Sequence, residues 1–399
     1  FGVKVGLLRQ EPYFNKIIEL YTIANNFKKN LNNMFYKKNI QKISDENINE
    51  NEISIDYGKI PEDIIIASSL STWNNDNVYH YLVFLSEDNI IHKVKLDESK
   101  NLKKNDDLYK WPHGLIIDDQ HIYYNFDGGN SLVKKDFCGN IIWEIEGNFH
   151  HLMSKNNNYL WVLKKENQGD YDTAERFVKI NSLNGEEVFS FNTLDLIEAN
   201  QPNDFFSIKQ RDLSSIWEYE PFHYNDIDVL TDKFSSYFNE YSSGDLLISS
   251  RSLNSVFVVD PFNLKIKKFI FGLTRRQHDP DWNRGYITIY DNQTEWRLGK
   301  RYLKSRIVKM ENLEQKKISS LNFDTSFESD ARGNHDVLDL ENGNIYYLIL
   351  SPYEGKILLF YNNNKIFSFK NIQKGDVLSV SNGKILNKRK IINKINLCK

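Results

Sequence analysis

Five of the chain's nine histidines recur in one local setting. His113 (WPHGLIID), His151 (FHHLMSKN), His223 (FHYNDIDVL), His278 (RQHDPDW) and His335 (GNHDVLDL) each open a short run that leads through a polar turn into a β-rich stretch. A neutral imidazole can attack an electrophile, exchange protons near neutral pH, or ligate a metal. Arg251, in the run Ile248–Arg251, adds a permanent cation whose planar fork of donors suits an oxyanion. Three imidazoles around an axis could hold zinc with water in the fourth position. An arginine in the same set repels a cation and speaks against a metal, although a metal-dependent propeller enzyme stays the rival use of clustered histidines.

Such chemistry requires the histidines to meet, and the elements around them say how. The stretches that follow them (HIYYNF, YLWVLKK, DLLISSR, YITIYDN and NIYYLIL) are aromatic or β-branched and bounded by turn signals: DGGN at 127–130, CGN at 138–140, LNG at 183–185, SSGD at 242–245 and ENGN at 341–344. One histidine per repeat, gathered at one point, describes a β-propeller whose inner strands converge on a central channel. The histidine intervals of 38, 72, 55 and 57 residues exceed in part the roughly 40–50 residues of a blade, which places insertions at 190–222 and 293–304, carrying Trp217, Tyr219, Trp296 and Arg297. Five histidine repeats and an opening repeat near 62–97 make six blades. The tail GDVLSVSNGKILNKRKII is suited to return a strand and close the ring.

Residues 1–59 differ. Phe14, Ile17, Ile18, Tyr21, Phe27, Leu31 and Phe35 recur at helical spacing, with Pro12 near the start, and 37–56 is a polar, Asn-rich linker. The expectation is an all-β propeller over 60–399 behind a short N-terminal helical segment.

A net charge of -3 offers no basic face for nucleic acid. No run approaches the roughly 18 apolar residues of a membrane span. The chain begins at Phe1, which leaves room upstream for a leader or anchor. Cys138 and Cys398 form no CxxC pair and exclude a thiolate zinc site. A closing propeller brings its C-terminus beside its first blade, so a bond between the two cysteines, and with it the redox compartment, stays open.

Between His223 and Arg306 the motifs acquire an order. His223/Asn225/Ile227, Ile248–Arg251, Gln277/His278, Tyr290–Asn292 and Ser305/Arg306 follow one another as H-x-N-x-I, I-S-S-R, Q-H, Y-D-N and S-R. This run resembles the bacterial arylsulfate sulfotransferase family, clearly over about residues 215–310 and more weakly outside them. The resemblance implies that His278 is the nucleophile carrying a sulfuryl group from an aryl sulfate donor to a phenolic acceptor. It implies further that His223, Arg251 and His151 act around it, without cofactor or nucleotide, in a periplasmic or membrane-anchored protein. Asn225, Asn292, Arg306 and the channel histidines His113 and His335 are the candidates for substrate contacts. Two departures stand out: there is no extra N-terminal β-domain, and the histidine pair of FHHLMSKNNN lacks the acidic residue that relatives place after it. Against catalysis stands a ligand- or partner-binding propeller, since the fold hosts many functions. His150 competes with His151, and Arg306 competes as an inter-blade salt bridge.

Overall fold

The computed structural model describes residues 54–74, 77–98, 111–165, 175–203, 222–294, 303–340, 342–373 and 376–398. Its strands pair antiparallel in six blade sheets and one small two-stranded sheet, Ile372–Gln373 with Asp376–Val377. The innermost strands are Val380–Asn387, Trp111–Ile117, Asn148–Asn156, Tyr224–Val229, His278–Trp282 and Asn334–Asp339, for the first to the sixth blade. Each packs beside the next and the last returns to the first, so the ring is closed.

The β-rich stretches after the histidines form the second strands (Ile122–Asp127, Tyr159–Lys165, Leu246–Ser250, Tyr286–Asp291 and Ile345–Ser351). These lie between two neighbours of their own sheet and under the adjacent blades. They therefore read as nearly continuous apolar runs, as in Leu246–Ser250, which is buried throughout. Six clusters of buried apolar side chains fill the six blade–blade interfaces. The outermost strands alternate or face water, as in Ile141–Glu146.

Both ends of the described chain close the ring. Val380–Asn387 supplies the inner strand of the first blade, as its sequence suggested. Ser54–Gly58, assigned by sequence to the linker, instead pairs with Asn364–Lys370 as a fifth, outer strand of the sixth blade. The helical pattern of the N-terminal segment lies outside the described residues. A helix at Lys388–Ile395 follows the closing strand, capped by the Asn387 side chain, and buries Ile391 and Ile395 in the interface of the first and second blades. Cys398, just beyond it, is bonded to Cys138 in the turn before the outer strand of the second blade, with Cα atoms 5.0 Å apart. Closing a loop of 260 residues removes unfolded-state entropy worth at most on the order of 5 kcal/mol. No helix among the described residues is long and apolar enough to cross a membrane. Of the expected insertions, the described part contains a short helix at Thr193–Ala199. Trp217, Tyr219, Trp296 and Arg297 lie outside the described residues.

Candidate active site

Five of the six innermost strands carry an irregularity at the same level. Register shifts fall at Pro112/Gly114, opposite 151–153, at Tyr224/Asp226, at His278/Asp281 and opposite 381–382. A bulge inserts an unpaired residue, bends the strand and re-aims a side chain. Left-handed backbone at His151, His223 and Asp279 accompanies these shifts, an unusual state for residues other than glycine. Gly114 answers a different demand. A side chain there would meet the Asn125 amide and the His151 carbonyl at 2.6 Å, where Asn125 ties the second blade to the third.

The bulges bring imidazoles together. The rings of His113 and His151 lie 4.7 Å apart, those of His151 and His223 5.0 Å apart, and His150 stands 4.9 Å behind His151. His150 Nδ1 meets His151 Nδ1 at 2.6 Å, and its Nε2 lies 3.0 Å from Glu175 Oε1. Asp127 faces His113 at 3.4 Å and His151 at 3.9 Å.

His278 is buried and held by both nitrogens. Nδ1 lies 2.7 Å from Asn292 Oδ1 and 3.1 Å from the Arg276 carbonyl, both acceptors, so Nδ1 carries the proton. The Asn292 orientation is fixed in turn, because its amide donates to the Ser329 carbonyl at 2.8 Å. Nε2 is thereby the nitrogen with the free pair. It accepts a 3.2 Å hydrogen bond from the Arg332 backbone N–H. The Arg332 guanidinium lies over the Trp111 ring, 4.7 Å from its centre.

Burial first, then the Arg251 cation and neighbouring imidazoles, hold the His278 pKa well below its ordinary value, so this ring is neutral at pH 7. Burial does the same to His151, only partly countered by Asp127. Burial opposes the charge of Asp127, yet His151, His113 and Arg332 together keep its carboxyl well below the usual range. The site thus combines the neutral rings of His278 and His151 with the cations of Arg251 and Arg332 and the Asp127 carboxylate.

The remaining sequence candidates take other places. Asn225 is fully buried; its Nδ2 donates to the Gln277 carbonyl at 2.7 Å, tying the fourth blade to the fifth, while its Oδ1 has no hydrogen-bond partner among the described residues. Gln277 is likewise a bracket, donating to Ser249 Oγ, the Ser250 carbonyl and the Ser255 carbonyl. Arg306 forms a salt bridge within the fifth blade rather than between blades: Nε sits 2.9 Å from Oδ2 of Asp291, its partner on the neighbouring strand, and the guanidinium also donates to Ser320 and to the Leu273 carbonyl. His335 leaves the cluster. Its Nδ1 meets Asp279 Oδ2 at 2.8 Å and its Nε2 meets Thr288 Oγ1 at 2.7 Å. Sequence reading missed Asp127, hidden in a turn signal, along with Glu175, Arg332 and Trp111.

Further along the same strands the channel holds a cavity of about 200 Å³, lined on one side by Leu115, Ile117 and Leu152 and on the other by Asp226, Asp228, Asp279 and Asp281. Burial and neighbouring carboxylates push Asp226 and Asp281 well above the carboxylate range, and Asp228 to about 7. In the histidine cluster itself, donor atoms of His113, Asp127 and His151 come within 4.8 Å of one another. The charges of Arg332 on Asp127 and Arg251 on His278 oppose a metal there.

A closed six-bladed β-propeller with imidazoles, arginines and a carboxylate gathered where its inner strands begin defines the class of this protein. Within that class the chain belongs to the arylsulfotransferase (ASST) family, whose profile matches residues 113–372. Comparison with curated proteins gives no match. Among solved structures the chain is similar to a protein of unknown function from Bacteroides caccae (11% identity, TM-score 0.49, covering 81% of this chain and 99% of that one). It is also similar to a chain of a nidogen/laminin complex (8%, TM-score 0.46, covering 81% and 97%) and to a streptogramin B lyase (13%, TM-score 0.41, covering 81% and 99%).

Proposed function

We propose that the protein transfers a sulfuryl group from an aryl sulfate to a phenolic acceptor through a covalent sulfohistidine at His278. The observation that carries this reading is the state of that ring: neutral, buried, and protonated on Nδ1, with the Nε2 pair available. Nε2 attacks sulfur, an N–S bond forms, and the S–O bond to the aryl group breaks with loss of phenolate. A second phenol then attacks sulfur, its proton leaves, and the N–S bond breaks to regenerate His278. Two displacements at one nucleophile give ping-pong kinetics.

The transferred group carries three oxygens and developing charge, so positioning and charge stabilisation supply most of the rate, as in phosphoryl transfer. Arg251 supplies the charge opposite those oxygens, and His151 and His223 handle the proton on the phenol oxygens. The Arg332 N–H contact with Nε2 is long, at 3.2 Å, and yields to the incoming sulfur. Asn292 keeps its hold on Nδ1–H and so supports the imidazolium that forms. We place this reaction in an oxidising compartment, the bacterial periplasm or its membrane face, a reading supported by the Cys138–Cys398 bond.

The test is a chromogenic aryl sulfate given to the protein with and without phenol. Release that depends on phenol supports transfer, whereas equal release into water makes the protein a sulfatase. Brief exposure to donor alone should add about 80 Da, the mass of a sulfuryl group on its carrier, to the peptide containing His278. A label on tyrosine or serine overturns the proposal.

A further inference from the structure

From the acidic side of the channel cavity we infer that the propeller holds one Ca2+ ion beneath the histidine cluster, between the inner strands of the fourth and fifth blades. Asp226 and Asp228 come from one strand and Asp279 and Asp281 from the other, and all four line the cavity. Lys384, also in the wall, reaches Asp226, Asp228 and Asp281 with its charge but serves a fifth carboxylate as well. Its Nζ is paired with Asp336 Oδ1 at 3.1 Å, and the other oxygen of Asp336 takes the Ile385 N–H at 2.7 Å. Four carboxylates therefore face one small space with a single lysine shared between them and Asp336, the other wall lysine, Lys155, being paired with Asp118 at 2.9 Å. Buried charges demand a partner or a coordinated metal.

Two unsatisfied oxygens point to the same occupant. Asp226 is 3% exposed, and its Oδ2 has no hydrogen-bond partner among the described residues. Asn382, from the first blade, is also 3% exposed and lines the cavity with its Oδ1 equally unpartnered, while its Nδ2 donates to the His113 carbonyl. The second group is a neutral amide oxygen, so carboxylate crowding does not explain it; an oxygen-seeking ion does.

The donor set selects the ion. Oxygens of Asp279 and Asp281 come within 4.8 Å of each other, about twice a calcium–oxygen distance of 2.3–2.6 Å. His335 stands in the same group, but hydrogen bonds to Asp279 and Thr288 engage both of its nitrogens. Both cysteines are in the disulfide, which leaves no thiolate for zinc. A set of carboxylates and an amide oxygen at irregular positions suits the flexible, high coordination of Ca2+ better than the strict octahedron of Mg2+.

The full chain is stripped with EDTA, desalted, and melted with and without CaCl2, with equilibrium dialysis against Ca2+ giving stoichiometry. Binding of about one ion per chain is expected, with a rise in Tm of about 3–5 °C at a hundredfold excess over Kd. Asp226→Asn and Asp281→Asn should each abolish the rise while leaving the ion-free Tm equal or higher, since each removes a buried repulsion. None of these readouts uses turnover, so the outcome is independent of the transfer reaction. An unchanged Tm with no dialysis uptake, a response to Zn2+ but not Ca2+, or a response that survives in both variants overturns the inference.

Discussion

His278 and His335 sit in nearly the same words, QHD and NHD, on the inner strands of adjacent blades, yet they do different work. The fifth blade is bulged at His278, and the ring there keeps its proton on Nδ1 while Nε2 takes only the 3.2 Å contact from the Arg332 backbone N–H. The sixth blade pairs in unbroken register from Asn334 to Asp339. Regular alternation then turns Asn334 to the channel cavity and leaves His335 between blades, with both nitrogens tied to the fifth blade. A recurring histidine is therefore insufficient to make a site. The backbone irregularity decides which copies join the imidazole cluster and which brace the ring.

The widest separation between the two should come from removing each. His278→Ala should lower transfer at least ~10^4-fold, the loss expected for a covalent nucleophile, with little change in Tm. His335→Asn should behave oppositely, keeping turnover within a few-fold while losing about 2–3 kcal/mol of stability with its two buried hydrogen bonds. Steady-state rates and melting curves on both proteins check this, and equal loss of activity in the two breaks the distinction.

Arg251→Lys keeps the charge but not the fork, and the transfer rate should fall about 10^2-fold, the order for one transition-state donor. Asn292→Leu removes the acceptor that fixes the His278 tautomer. A loss of roughly 30-fold is expected, within the range for partners that orient a functional histidine, and it should appear in kcat rather than KM.

The smallest effect concerns pH. Because the His278 pKa lies well below the ordinary 6.5, its nucleophilic form persists on the acid side, and kcat/KM should show no acid limb centred at 6.5. Stability moves the other way. Below pH 6.5 the unfolded chain takes up a proton that buried, neutral His278 and His151 refuse, so stability falls with pH until their folded pKa values are reached. Melts between pH 7.5 and 5.5 should show that decline, and a flat curve argues against two buried neutral rings.

Much of this was legible in the sequence because a propeller repeats its inner strand, so one residue type marks every blade. The repeat announced six blades, the closing strand, and the set of His113, His151, His223, Arg251 and His278. It could not show which repeats are bulged, because a bulge depends on the partner strand's register. For the same reason it could not show that the Asn225 amide and its neighbour Gln277 fasten the fourth blade to the fifth. Asp127 was disguised by DGGN, where the residue types of a turn and of a buried acid coincide. Glu175 and Arg332 lie on elements far apart in sequence from the imidazoles they reach.

The ring's closure also sets an order of events in the making of this protein. Asn382, whose backbone N–H reaches Ser69 Oγ across 313 positions, is the residue that also reaches the His113 carbonyl at the edge of the imidazole cluster. Contacts of that span form late and slowly. The cluster's support from the closing strand is consequently a product of completed synthesis: a nascent chain halted before residue 380, or one clipped there, has five whole blades and a histidine cluster without its Asn382 contact. The last strand acts as a licence that is issued only when the ring is whole.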